Sequence, residues 1–147
     1  NMAVITLNQL IEEIKGFVDT HPQLQGRLAV EADDWRAPKI TEFTEFPIMF
    51  IAPISARMTP NLTTHTMRVY VYMRINENRD DLHDNASDTQ LILNDLIKNF
   101  NDGSSSDLLI IQPATANFIS DRELDNLVGW FIDLDFEIPT YSRCLIS

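Results

Sequence analysis

The sequence predicts an α+β domain: a mostly antiparallel sheet of about four to five strands, with two main helices packed on one face. Three observations carry this. First, Leu127–Ile138 alternates cleanly. Val128, Trp130, Ile132, Leu134, Phe136 and Ile138 fall on one side of a strand, and Gly129, Phe131, Asp133, Asp135 and Glu137 on the other. Side chains in a strand alternate with period two, so this is a long strand with one buried face. Second, two stretches repeat apolar residues at helical spacing. Third, the strand-like stretches follow one another in pairs instead of alternating with helices, which favours hairpins over parallel crossovers.

The elements follow in order. Thr6-Leu-Asn-Gln9 has the spacing of a capping box, in which a hydroxyl and a carboxamide satisfy two free backbone donors. Leu7, Leu10, Ile11, Ile14, Phe17 and Val18 then form one apolar stripe, and His21-Pro22 ends the helix because the residue before proline avoids helical backbone. Gly26–Val30 is a short strand. Glu31–Pro38 is an acidic loop holding Trp35. Phe46–Pro53 reads as a compact buried strand, Ala56–Leu62 as a turn or extended loop around Pro60-Asn61, and Thr64–Ile75 as a second strong strand. An antiparallel hairpin is the simplest way to join two consecutive strands.

Asn76–Asp88 is the most polar stretch. Ser87-Asp-Thr-Gln90 repeats the capping-box spacing, so Ser87 is the expected cap of a helix carrying Ile92, Leu93, Leu96, Ile97 and Phe100, which Asn101-Asp-Gly103 stops. Leu108–Gln112 is a further strand, resuming through Phe118-Ile119, and Asp121–Asp125 turns into the long alternating strand. Pro139 ends that strand, since proline donates nothing to a ladder, and residues 140–147 form a C-terminal tail. A chain of 147 residues suits a single domain over residues 2–147, and at this size roughly 70% of the unfolded surface is buried on folding.

Composition narrows the function. The chain carries 11 Lys and Arg against 22 Asp and Glu, a net charge of −11, which opposes any surface that wraps nucleic acid. With one cysteine, Cys144, no intramolecular disulfide forms. No apolar run is long enough for a transmembrane helix, and Met2-Ala-Val-Ile-Thr-Leu7 lacks the basic start of a signal peptide. His21, His65 and His83 stand in separate segments, without the clustering zinc requires. Asn76, Asn78 and Asp80 alternate like the start of a calcium loop, but Asp81 stands where glycine belongs and Ser87 where a bidentate glutamate belongs. No Gly-x-Ser-x-Gly elbow and no glycine-rich phosphate loop occurs. The sequence therefore assigns no catalytic residue, no metal site and no cofactor. Asp133, Asp135 and Glu137 are the one carboxylate row. They read as a solvated face or as cross-strand partners of Arg68 and Arg74, with a subunit interface next and acid–base hydrolysis last.

The layout resembles the tail-terminator, or tail-completion (neck), proteins of tailed bacteriophages. The resemblance rests on the helix Leu7–Val18, the run Phe46-Pro-Ile-Met-Phe50, the strand Met67–Ile75, the helix beginning Ser87-Asp-Thr-Gln90, the Trp130 strand and Pro139-Thr-Tyr-Ser-Arg-Cys144. The polar stretch 76–85 departs from it. The resemblance implies a virion structural protein without enzyme activity, assembled in the host cytoplasm as a six-fold or twelve-fold ring that caps the tail tube and joins it to the head connector. Its expected partners are copies of itself and the tail-tube and portal-proximal proteins, with DNA passing through the lumen unbound. The subunit-interface candidates are then Trp35 and Arg36, Arg79, Asp80 and Asp81, the row Asp133, Asp135 and Glu137, and Tyr141 and Arg143 in the tail. The competing reading is a non-viral adaptor or protein-binding domain.

Overall fold

The computed structural model describes residues 6–30, 46–75, 80–101, 109–110, 114–121 and 127–139. They form an α+β fold of two helices and one sheet. Helix α1 is Leu7–Thr20 and helix α2 is Leu82–Asn101. The strands are β1 (Leu28–Val30), β2 (Ile48–Met58), β3 (Leu62–Arg74), β4 (Leu109–Ile110), β5 (Ala116–Asp121) and β6 (Leu127–Pro139). The sheet order is β1-β2-β3-β6-β4, with β5 also pairing β6. Four of these pairings are antiparallel; β1 runs parallel to β2.

Helix α1 starts as its sequence dictates. The Thr6 hydroxyl accepts from the Gln9 N–H, and the Gln9 side chain accepts from the Thr6 N–H at 2.8 Å. Its stripe of Leu10, Ile14, Phe17 and Val18 is buried against the sheet, each side chain contributing about 1.5–3 kcal/mol. His21 closes the helix, its N–H donating to the Phe17 carbonyl. Its Nδ1 accepts from the Gln23 N–H, which leaves Nε2 to donate to Asp95 of α2 at 3.0 Å. One imidazole thus ties the end of α1 to the middle of α2. Gln25 and Gly26 then take left-handed backbone, with φ of 49° and 83°, and turn the chain into β1. Arg27 holds that turn on β2 by donating to the Pro47 carbonyl.

Helix α2 begins earlier than its sequence suggested. It starts at Leu82, not after Ser87, and the Asn85 N–H donates to the Asp81 carbonyl. The reason is apolar: Leu82 and Ala86 pack with Met73, Ile75 and Val128, so the stripe that holds the helix down begins inside the polar stretch. Ser87 is an exposed helical residue. Asp80 and Asp81 lie at the helix entry and Asp84 in its first turn, where negative charge opposes the positive end of the helix dipole.

The hairpin also differs from expectation. β2 runs on to Met58, and the reversal is only Thr59–Asn61, closed by the Thr59 N–H donating to the Leu62 carbonyl at 2.8 Å. Pro53 does not end the strand because a bulge at Ile54 absorbs it: Pro53 faces Met67 and Ser55 faces Thr66.

The register of β3 on β6 runs unbroken from Leu62↔Pro139 to Arg74↔Leu127. It places Met67, Val69 and Val71 beside Leu134, Ile132 and Trp130, and both helices cover this face in one core with Met49, Ile51 and Phe136. Trp130 pins α2 to it, its indole N–H donating to the Ala86 carbonyl at 2.8 Å. Gly129 marks the tightest approach, since a Cβ there would sit 1.8 Å from the Val71 carbonyl oxygen. Gly129→Ala is therefore expected to cost at least about 1–3 kcal/mol, as for overpacking, read as a lowered urea midpoint. Trp130→Phe, which keeps an aromatic ring but removes the indole N–H that bonds α2 and part of the ring's bulk, is expected to cost at least about 1 kcal/mol.

Candidate functional site

The face of the sheet away from the helices is divided in two. At one end lie Ile48, Phe50, Tyr70, Tyr72 and Leu127, buried, with Phe46, Ile119 and Phe131 against them. Tyr70 stacks on Tyr72 at 5.8 Å and meets Phe50 and Phe131 at 5.7 and 5.6 Å. Burial pushes the Tyr70 hydroxyl above the ordinary phenol range, opposed by its hydrogen bond to Arg68. Two guanidinium groups cap the cluster, Arg74 over Phe46 at 4.7 Å and Arg68 over Phe131 at 5.1 Å.

At the other end stands the carboxylate row. Asp133 lies directly across from Arg68 and takes both arms of its guanidinium, at 2.7 and 3.0 Å. That pairing, together with Tyr70, holds Arg68 protonated well above its ordinary range. Asp135 faces Thr66 and accepts from its hydroxyl, and Glu137 faces Thr64. The expected partnership with Arg74 does not form, because Arg74 lies opposite Leu127, far along the strand, over Phe46. Asp133 and Asp135 are thus engaged by neighbours on β3, as structural cross-strand pairs are.

Of the other interface candidates, Asp80 and Asp81 belong to the α2 entry and not to a free loop. Trp35, Arg36, Arg79, Tyr141 and Arg143 lie outside the described residues. Among the described residues, no group of three His, Cys, Asp or Glu side chains is placed to hold a metal ion. Among the described residues, no helix is long and apolar enough to cross a membrane.

Two surfaces escaped the sequence reading. The first is the far end of the β2–β3 hairpin, where residues 54–58 are all exposed, Ile54 at 49% and Met58 at 73%. β1 covers β2 only from Met49 to Ile51, and no described strand lies beyond Ser55–Met58. The second is a furrow between α2 and β5, made of two adjoining recesses of about 360 and 420 Å³ that share Gln90. Leu91, Ile97, Ala114 and Ala116 line one, and Phe118 and Trp130 the other. Leu91 and Phe118 are exposed at 58% and 46%, and Phe118 stands edge-on to Trp130 at 5.2 Å. The signals were faint. Leu91 is an apolar residue off the buried stripe of α2, Ile54 falls just past the strand expected to end at Pro53, and Met58 lies in the stretch Ala56–Leu62 that reads as a turn or extended loop.

Two outcomes test the electrostatics of β3, one on each face of the strand. Asp133→Asn is expected to cost no more than about 1 kcal/mol, because the pair is part-exposed and surface pairs are worth little; urea denaturation reads this directly. Burial pushes the His65 imidazole below its ordinary range. The unfolded chain then takes up the proton first, so stability present above about pH 6.5 is lost as the pH falls below it. His65→Gln is expected to flatten that part of the acid dependence of the urea midpoint.

No known family model matches this chain, and no curated protein is significantly similar to it.

Proposed function

We propose that this chain is a structural, non-catalytic subunit of a ring in the tail or neck of a tailed bacteriophage, where it ends the tail tube and joins it to the head connector. The observation that carries the reading is the hairpin end: among the described residues, a strand edge with β3 on one side only and two large exposed apolar side chains, Ile54 at the bulge and Met58 near the tip. Exposed edges of this kind favour association. The engagement of Asp133 and Asp135 by Arg68 and Thr66 favours a structural role for the carboxylate row over acid–base chemistry. The resemblance of element order to tail-terminator proteins supplies the setting.

The net charge of −11 is compatible with a channel through which DNA passes without sticking. The partners in this reading are copies of the chain, the tail-tube protein and the portal-proximal connector proteins. A non-viral adaptor would use the same surfaces but would not close on itself.

Native mass spectrometry with negative-stain electron microscopy tests the proposal. The expected outcome is a closed ring with an open lumen, which retains no duplex DNA at low salt. A chain that stays monomeric at high concentration overturns it.

A further inference from the structure

We propose that the furrow between α2 and β5 is the seat for the distal end of β2 from a second copy of this chain. The inference rests on the ring reading and names the contact that would build it.

Sheet topology supplies the geometry. β2 lies towards one margin of the sheet and β5 pairs β6 at the other. A contact joining two unlike surfaces on opposite margins repeats from copy to copy, and it closes into a ring or extends as a chain. A contact between two like surfaces would stop at a dimer.

The chemistry of the two surfaces matches. The eleven residues of β2 include Arg57 and no carboxylate, in a chain with twice as many acidic as basic residues. The furrow is lined in part by apolar side chains, Leu91, Phe118 and Trp130. The N-terminal half of α2 beside it carries Asp84 and Asp88. Met58 is long, flexible and largely exposed, a side chain suited to filling an irregular apolar recess. The floor is already firm, because the Trp130 indole is held by Ala86 and by the Phe118 ring, so little ordering opposes docking.

The test pairs two full-chain variants. Met58→Asp spoils the hairpin end and leaves the furrow intact; Leu91→Asp does the reverse. Both positions are exposed, and circular dichroism checks that each variant folds. Phe118→Ser is a second furrow variant should Leu91→Asp lower the melting temperature. Each alone is expected to associate at least roughly tenfold more weakly than the parent chain. Mixed in equal amounts, they are expected to form a one-to-one dimer and nothing larger, because one intact hairpin end meets one intact furrow.

Rings that persist in both single variants overturn the contact and leave the ring reading standing. Two monomeric variants that fail to pair on mixing also overturn it. Open-ended chains in the parent that both substitutions abolish uphold the contact and overturn the closed ring.

Discussion

The structure depends on one constraint, the uninterrupted register between β3 and β6. Thirteen residues of each strand pair without a slip, and a shift of one would turn every side chain to the opposite face. The register is held at Gly129, whose missing side chain makes room for the Val71 carbonyl. It is held again where Arg68 and Asp133 meet across the strands. Between those points lie Val69, Val71 and Ile132, fully or almost fully buried. Polar pairing on one face and apolar packing on the other therefore select the same alignment.

From that alignment the two faces acquire different work. The helix side is a continuous apolar layer, so both helices dock by burial, and the polar contacts around them orient more than they stabilise. His21 to Asp95 sets α1 against α2, and Trp130 to Ala86 sets α2 against the sheet. The other side changes character along its length, from the aromatic cluster around Tyr70 to the carboxylate row. Arg68 stands at the boundary, over Phe131 and paired with Asp133, and joins the two halves chemically.

Much of this could be read from the residues, and the failures have physical causes. The alternation of β6, the stripe of α1 and its capping box were legible because period and cap agree there. The buried aromatic cluster was not, because Tyr70, Tyr72 and Phe131 share their strand face with Arg68, Asp133 and Asp135, so the face looks polar on average. The start of α2 was missed because its solvent side carries nearly all the polar residues of 80–88, while only Leu82 and Ala86 hold it down. The length of β2 was missed because Pro53 reads as a stop, whereas a one-residue bulge accommodates it. The candidate docking surfaces were the least legible of all. A furrow is a relation between α2 and β5, and no single stretch of sequence contains it.

The treatment of the sheet margins bears on assembly more than any single residue does. Open strand edges invite pairing with other chains, and proteins blunt those they do not use. Here two are blunted by identifiable means. The start of β2 is covered by β1. At β4 the Asn101 side chain acts as one more strand residue, donating to the Ile110 carbonyl at 3.1 Å and accepting from its N–H at 2.8 Å. The distal half of β2 receives no such cover from the described residues; it carries one charge, Arg57, between the exposed apolar side chains Ile54 and Met58. Among the described residues the β4 margin is closed by an asparagine, whereas Ser55–Met58 have β3 on one side and no strand on the other, which is where the ring proposal places its contact.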